Sequence, residues 1–350
     1  NFVSSSGNLI SIFEKKFCKT YNFKYAVALN SGTSALHLGL KSIGVKKNDI
    51  VIVPSYTFAA TANAIIYNNA EPWFFDCNFN LDLSLTLIEK EIKKKTFVKK
   101  NLLRLKSSNK IIRAIVPVST FGKKLDFIKY NNFAKKYKLN ILYDTAACHD
   151  PKIFNFSKSN SMNFCFSFNG NKTLTTGAGG IFASNSKSAI EKVRINASVG
   201  KKYGKYDYHL VGFNYKMTNI QAAFGIAQLD ILKKILKKKR KIFAYYFNFL
   251  KKDKYKLIYD SKVVNWVFVL VAKSSKEYDE IKKYFNKSKI QLNYFWKPLH
   301  LQKPYKKYLK SKIIYTNKIW NRIILLPSHP GVTPKDQQKV LKILKNLKKS

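Results

Sequence analysis

The strongest constraint on the fold is an alternation of short apolar runs with longer amphipathic segments between residues 24 and 185. Runs rich in Val, Ile, Phe and Tyr predict strands at 26–29, 50–53, 72–75, 111–118, 140–143, 163–167 and 180–184. Segments whose apolar residues recur every three or four positions, such as 34–43 and 126–137, predict helices between them. This alternation is typical of an α/β domain.

A second unit is predicted toward the C-terminus. A long helix is expected to begin after Thr218, with Gln221–Gln228 in its first turns, and to run into a lysine-rich stretch. We place the boundary there, which gives a large domain over 1–231 and a smaller α+β domain over 232–350. Strands are predicted in the second unit at 263–271 and 290–295.

The charge of the chain requires an explanation. The 350 residues include 65 Lys+Arg and 19 Asp+Glu, a net charge of +46, but only five of the basic residues are arginine. Proteins that grip phosphates favour the bidentate fork of arginine, whereas the abundant Lys, Asn, Ile, Phe and Tyr are residues of A/T-rich codons. We therefore attribute the charge to composition and expect no nucleic-acid partner, with a polyanion-binding protein as the alternative.

Membrane, disulfide and metal classes are not indicated. No apolar run approaches the ~18 residues that a spanning helix requires, so we expect a cytoplasmic protein without a membrane partner. The four cysteines form no CxxC pair and no zinc-like cluster, so neither a disulfide framework nor a metal site is predicted.

Two polar positions follow predicted strands and are candidates for ligand contacts. The turn Ser31–Ser34 lies between a strand and a helix, where backbone N–H groups can bind a phosphate, although a simple helix cap explains the same residues. Asp144 follows the run 141–143, at the end of a strand where ligands of open α/β sheets bind. It could pair with a protonated ring nitrogen, or it could cap the next helix.

The segment from Ser167 to Gly180, SFNGNKTLTTGAGG, carries the strongest chemical signal. Lys172 is the only lysine between Lys158 and Lys187, in a chain where lysine is abundant elsewhere. A loop of small and hydroxyl residues can desolvate such a lysine and lower its pKa, which makes the amine a nucleophile. Ser167 could donate to a phosphate. The alternative is a glycine-rich hairpin with an incidental lysine.

Further candidates have weaker signals. Phe58, at the start of a predicted helix, could lie against an aromatic cofactor, although burial in a core is the commoner fate of such a residue. His300 in the sequence WKPLH could contact substrate or be structural. Lys216 and Trp296 are further candidates for substrate contacts.

Five segments together resemble a known family. LNSGTSALHLGL, VPSYTFAATANAI, YDTAA, FSFNGNKTLTTGAGG and GFNYKMTNIQAAFGIAQL follow one another in the order found in the DegT/DnrJ/EryC1/StrS family of pyridoxal-phosphate-dependent nucleotide-sugar aminotransferases. The resemblance extends from about residue 8 to residue 331. The forms SFNGNK and WKPLHLQ resemble the branch that acts on UDP-linked 4-keto-6-deoxy-N-acetylhexosamines, in bacillosamine and legionaminic acid pathways.

The resemblance implies a fold and an assembly. The fold is of the aspartate-aminotransferase type (fold type I), with a mostly parallel seven-stranded sheet in the large domain and a small C-terminal α+β domain. The implied assembly is a homodimer with shared active sites.

It also implies an activity. An amino group, with L-glutamate as donor, is transferred to the keto carbon, C4, of a nucleotide-linked keto-deoxy sugar, for surface-glycan or nonulosonic acid synthesis. Alternatives are another keto sugar, a cyclitol, or a catalytically decayed relative that binds polyanions.

The family motifs assign roles to residues of this chain. Lys172 would bind pyridoxal phosphate covalently, and Asp144 would pair with its pyridinium nitrogen. Phe58 would stack on the ring. The cofactor phosphate would be held by Gly32, Thr33, Ser167 and, from the other subunit, Asn214.

Two departures from the family pattern stand out. The family usually has Glu or Gln near the cofactor's phenolic oxygen, at the position of Ala147 in this chain. Cys148, His149 or a water could replace that contact. The following segment, 148–161, lacks the glycine that the family usually carries there.

Overall fold

The computed structural model describes residues 3–156, 162–202, 206–252, 255–292 and 295–347. The strands in these residues are β1 Tyr25–Leu29, β2 Ile50–Pro54, β3 Glu71–Phe75, β4 Thr96–Lys99, β5 Leu102–Leu105, β6 Ile112–Ile115, β7 Asn140–Ile141, β8 Tyr143–Asp144, β9 Asn163–Ser167, β10 Gly180–Ser184, β11 Lys256–Ile258, β12 Phe268–Val271 and β13 Ile323–Leu326. Strands alternate with helices over most of the first 200 residues, as the hydrophobic pattern predicts.

The α-helices of the described residues are α1 Leu9–Tyr21, α2 Gly32–Ser42, α3 Ala59–Tyr67, α4 Leu85–Lys95, α5 Phe127–Lys136, α6 Lys187–Ala197, α7 Asn219–Leu250, α8 Ser275–Lys287, α9 Tyr315–Ile319 and α10 Pro334–Asn346. Short 3₁₀ turns are Thr120–Gly122, Pro151–Phe154, Leu299–Leu301, Lys303–Tyr305 and Trp320–Arg322. Side-chain N-caps at Ser31, Asp126 and Thr218 explain where α2, α5 and α7 begin. Within the described residues, no helix is both long and apolar enough to cross a membrane.

Two four-stranded sheets form the centre of the molecule. One has the order β3-β2-β6-β7 with all pairs parallel. The other has the order β1-β10-β9-β8, in which β8 and β9 are parallel and the remaining pairs are antiparallel. The sheets meet where Leu142 alone separates β7 from β8. The predicted strand 140–143 is therefore interrupted at Leu142, whose N–H donates to Ile115 O at 3.2 Å.

The sequence predictions differ from the structure at three further strands. Strand β6 ends at Ile115 rather than at residue 118, and β12 begins only at Phe268. The predicted strand 290–295 is wrong over its described residues, while residues 293 and 294 lie outside them. The cause is local, because Lys289 has a φ of +58° and the Ile290 N–H donates to Phe285 O at 2.8 Å, which ends helix α8.

Helix α7 connects two groups of buried side chains. Ala222, Leu229 and Leu236 pack with the core of the two central sheets. Ile242 and Tyr246 pack instead with β12, β13, α8 and α10, around the antiparallel sheet β11-β12-β13. The helix is continuous through residues 231 and 232, so the predicted boundary falls inside it, and the division into two domains stays a prediction.

Candidate active site

A cavity of about 410 Å³ lies at the carboxyl ends of the central strands. This is the edge where open α/β sheets bind ligands. Its walls come from the starts of α2 and α3, from the segments that follow β6, β8 and β9, and from the C-terminal part of the chain. The predicted site residues that line it are Gly32, Thr33, Phe58, Asp144, Ser167, Lys172 and Trp296.

Asp144 ends strand β8 and is buried in the cavity wall. Its Oδ2 accepts a hydrogen bond from the Thr61 hydroxyl at 2.7 Å, and its Oδ1 accepts one from the Ala146 N–H at 3.1 Å. Burial raises the pKa of this carboxyl, while the two hydrogen bonds and the charge of Lys172 act in the opposite direction. A cationic ligand group beside the carboxylate would relieve the cost of its burial.

Lys172 extends from the loop after β9 into the same cavity. Its Nζ lies 3.9 Å from the centroid of the Trp266 ring and makes no hydrogen bond within the described part of the chain. Burial lowers its pKa to about 8, although the charge of Asp144 opposes this shift. At mildly alkaline pH a large fraction of this amine is therefore neutral and able to attack a carbonyl.

The start of helix α2 faces the end of strand β9 at close range. Ser31 is the N-cap of α2 and accepts from the Ser34 N–H at 3.0 Å, so the cap interpretation of this turn is correct. The N–H groups of Gly32 and Thr33, in the first turn of the helix, have no acceptor among the described residues. A Cβ at Gly32 would lie 2.7 Å from Ser167 Cβ, so only glycine permits this approach. N–H groups and hydroxyls thus converge on one end of the cavity, as an anion site requires.

Phe58 precedes helix α3 and remains 58% exposed, so it is a wall of the cavity and not a core residue. Its ring centroid lies 6.2 Å from that of Trp296. Trp296 in turn stacks on Phe121, with 5.4 Å between centroids. Aromatic rings therefore form part of the cavity wall.

Three predicted residues lie outside this cavity. His300 is buried, and its Nδ1 lies 2.5 Å from the Ser55 hydroxyl, which gives it a structural contact. Asn214 is exposed, and Lys216 is half-buried in an isolated bridge with Leu29. The roles predicted for Asn214 and Lys216 require a ligand or a second subunit and stay predictions.

The altered segment after Asp144 is packed into the core. Ala147 lines the cavity with a methyl group where the family usually has a polar side chain. Cys148 and His149 are buried behind it and are not among the lining residues. Ile153 and Phe154 belong to the main core cluster, while residues 157–161 lie outside the described residues.

The sequence predictions do not include three lining residues that contact Asp144 or Lys172. Thr61 lies in the first turn of helix α3, and its pairing with Asp144 gives it a role that its position alone did not indicate. Ser119 follows β6, and its N–H donates to Asp144 O at 2.9 Å. Trp266 comes from the C-terminal part of the chain, and no local signal marked it. Among the described residues, no cluster of His, Cys, Asp and Glu is arranged to hold a metal ion.

The residues present fit pyridoxal phosphate. A desolvated amine, a buried carboxylate that needs a cation and an anion-binding helix terminus line one cavity. Lys172 would hold the aldehyde carbon, Asp144 the pyridinium nitrogen, and Gly32, Thr33 and Ser167 the phosphate. Phe58 would cover one face of the ring.

Comparisons with known proteins agree with this geometry. The DegT/DnrJ/EryC1/StrS aminotransferase family model matches residues 1–345. The chain is 31% identical to the GDP-perosamine synthase of Caulobacter vibrioides, over 98% of this chain and 91% of that protein. It is also 31% identical to the UDP-4-amino-4,6-dideoxy-N-acetyl-beta-L-altrosamine transaminase of Campylobacter jejuni, over 72% of this chain and 65% of that protein.

A solved structure shows the same fold. The DegT DnrJ EryC1 StrS aminotransferase of Brucella abortus superposes with a TM-score of 0.88 and 26% identity, over 99% of this chain and 91% of that one. The family resemblance predicted from the motifs is confirmed, and with it the α/β fold and the cofactor. The chain belongs to the DegT/DnrJ/EryC1/StrS aminotransferase family and is a pyridoxal-phosphate-dependent aminotransferase.

Proposed function

We propose that the protein transfers an amino group from an amino acid, with L-glutamate as first choice, to C4 of a nucleotide-linked 4-keto-6-deoxy sugar. The observation that carries this proposal is the convergence of Lys172, Asp144 and the start of helix α2 on one cavity. The names of the relatives support the substrate class, because they refer to GDP- and UDP-linked amino sugars.

When bound, pyridoxal phosphate supplies an electron sink for the carbanion formed at the α-carbon of the donor. Asp144 keeps the ring nitrogen protonated by holding a negative charge beside it. Lys172 Nζ, once free, takes the proton from the α-carbon, and its pKa of about 8 suits a base that works near neutral pH. The same amine returns a proton to the sugar carbon in the second half-reaction.

The same proposal includes the arrangement of the central sheet, the two domains and the dimer. The residues Asn140–Asp144 would act as one strand that joins the two central sheets into a single, mostly parallel seven-stranded sheet. Residues 1–231 and 232–350 would be the large and small domains. Two copies would share their active sites, with Asn214 of one copy reaching the cofactor phosphate of the other. The exposure of Asn214, and of Val211 beside it, supports this arrangement.

The cofactor site is tested by spectroscopy and labelling. Purified protein with pyridoxal phosphate is expected to become yellow, and borohydride reduction is expected to fix the cofactor on Lys172, as located by peptide mapping. Lys172→Ala removes the label and turnover while the fold is retained. Lys187→Ala, at the exposed start of helix α6, is the matched control. A label scattered over surface lysines contradicts the assignment.

The substrate is tested by a matched set of acceptors. GDP-, UDP- and dTDP-linked 4-keto-6-deoxy sugars are incubated with the enzyme and L-glutamate, and the amino sugar is detected by mass spectrometry. One nucleotide is expected to be preferred. An enzyme that accepts the amine from glutamate but passes it only to a cyclitol or a free ketone contradicts the sugar-nucleotide part of the proposal.

The shared site is tested by mixing inactive variants. Lys172→Ala and Asn214→Ala are each expected to lower activity in their own dimers. In a mixed dimer, one site combines the intact Lys172 of one copy with the intact Asn214 of the other, so activity returns in part. No recovery in verified mixed dimers contradicts a contribution of Asn214 across the interface.

A further inference from the structure

Trp266 lies against Lys172 although the two residues are far apart in the chain. The Lys172 Nζ is 3.9 Å from the centroid of the indole ring. The indole Nε1–H donates a hydrogen bond to Asn171 O at 2.7 Å. One buried side chain therefore contacts both the reactive amine and the backbone of the loop that carries it.

The backbone of Trp266 is itself held on both sides. Its N–H donates to Phe121 O at 2.9 Å, and its carbonyl accepts from Lys239 Nζ at 2.8 Å. A Cβ at Gly122 would lie 2.7 Å from Trp266 N, and Gly122 has a φ of +78°, so this approach requires glycine. These contacts leave the indole little freedom to move away from the loop.

Lys239 is an unusual group to find behind an active site. It lies on helix α7, is 3% exposed, and donates to two carbonyls, those of Trp266 and Ser328. No salt bridge to it is present in the described part of the chain. Burial lowers its pKa to about 8. A buried lysine without a carboxylate is costly, and here it links α7, Trp266 and the segment after β13.

We propose that Trp266 is a positioning residue for Lys172, with its indole holding the ammonium and the lysine loop together while Lys239 fixes its backbone from behind. The inference rests on the proposed role of Lys172. Each time the amine is released from the cofactor, the ring face attracts its charged form and keeps it over the cavity. Without the indole, the lysine would be free to leave that position between the two half-reactions.

The pKa of Lys172 depends on the groups that surround its amine. Burial lowers the pKa of the amine, and the carboxylate of Asp144 raises it. Cys148, with a pKa of about 12, and His149, with a pKa of about 3, are uncharged near neutral pH. The attraction of the indole favours the ammonium, so loss of the ring is expected to lower the pKa of Lys172.

The experiment measures how fast a small acylating reagent modifies Lys172 at each pH, by quantitative peptide mapping of the full chain. The enzyme is loaded with pyridoxamine phosphate, which leaves the lysine amine free. The rate of modification rises with pH as Lys172 loses its proton, and the midpoint of this rise reports the pKa of Lys172. Trp266→Leu is expected to lower that midpoint by about one pH unit. Trp266→Phe keeps an aromatic face and is expected to retain most of the native midpoint. Trp320→Leu, outside the cavity, is the control and is expected to change nothing.

A Trp266→Leu variant that folds, by circular dichroism, and keeps the native midpoint overturns the inference. If that variant does not fold, Trp266→Met is measured instead. It keeps a long apolar side chain without an aromatic face and is expected to shift the midpoint in the same direction, and a native midpoint there overturns the inference equally. Failure of borohydride to label Lys172 in the native protein contradicts the proposed function instead, so the two failures are distinguishable.

Discussion

The Thr61 hydroxyl donates a hydrogen bond to Asp144 Oδ2 at 2.7 Å, across 83 positions of sequence. Thr61 is itself 2.9 Å from the Thr57 hydroxyl, so a short chain of hydroxyl groups ends on the carboxylate. Burial favours the neutral form of Asp144, and this bond is one of the contacts that favour the charged form. The proposed role of Asp144 needs the charged form, because only a carboxylate keeps a ring nitrogen protonated.

Thr61→Val is therefore expected to move the acid limb of the pH profile of kcat/KM upward by about one unit, because a hydrogen bond to the charged form is lost. The measurement is a transamination assay from pH 5.5 to 9. Thr61→Ser keeps the hydroxyl and serves as the matched control, with an expected native profile. An unchanged acid limb in the Val variant would show that Thr61 does not act on Asp144.

Asp144→Asn is expected to stabilise the cofactor-free protein at pH 8 while abolishing turnover. The pKa of Asp144 is raised in the folded state. The folded protein therefore binds more protons than the unfolded chain above the ordinary aspartate pKa of about 3.9, and stability falls as the pH rises through this window. Asparagine avoids that loss. The side-chain amide can still accept from the Ala146 N–H and donate to Thr61.

Denaturant unfolding of the two cofactor-free proteins at pH 8 and near pH 3 tests this expectation. The gain of the Asn variant is expected at pH 8 and should vanish near pH 3, where the carboxyl is neutral in both states. Equal free energies of unfolding of the two proteins at pH 8 would mean that contacts within the protein fully offset the cost of burying the Asp144 carboxylate, without the cofactor.

The sequence predicts best what is encoded locally. Strands β9 and β10 begin and end where the pattern places them, because each is a buried five-residue run next to turn-forming residues. Lys172 and Asp144 are predicted from the sequence for the same reason, since each stands out from its immediate neighbours, and both line the cavity. The interruption at Leu142 depends on how two sheets meet, and the hydrophobic pattern of one strand contains no information about that.

Residues supplied from distant segments are not predictable in this way. Trp266 reaches the lysine loop across 95 positions, through its hydrogen bond to Asn171. Nothing in its own neighbourhood distinguishes it from a core tryptophan. His300 is open to two interpretations in the sequence, substrate contact or structural residue, and the structure shows a contact with Ser55 far along the chain that neither interpretation could specify.

Gly32→Ala is expected to weaken binding of pyridoxal phosphate by about 10- to 100-fold. The new Cβ would meet Ser167 Cβ at 2.7 Å and Ser167 Oγ at 3.1 Å, so the helix start and the strand end must separate and the anion site must widen. Affinity is measured by titration of the cofactor-free protein. Gly170→Ala, in the loop between β9 and β10, is the control, because its Cβ would make only an ordinary contact with Gly177 O at 3.6 Å. Native affinity in the Gly32 variant would contradict a phosphate site at this turn.

Asp76 is expected to be one of the residues on which the stability of the whole chain most depends. It follows strand β3, is 2% exposed, and accepts from the N–H groups of Ile314, Tyr315 and Thr316 at 2.7 to 2.8 Å. It also accepts from the Thr316 hydroxyl at 2.6 Å, so a single carboxylate holds the start of helix α9 against the central sheet.

Asp76→Ala leaves these buried donors unpaired and is expected to lower the free energy of unfolding by about 3–5 kcal/mol. Asp126→Ala is the matched control, because Asp126 is an exposed cap that accepts one bond, from the Lys129 N–H at 3.0 Å, and its loss should cost about 1 kcal/mol. Both values come from urea unfolding of the cofactor-loaded enzyme. Equal losses in the two variants would mean that the contact between β3 and α9 forms without the carboxylate, since apolar packing around Ile319 and Cys77 would then suffice.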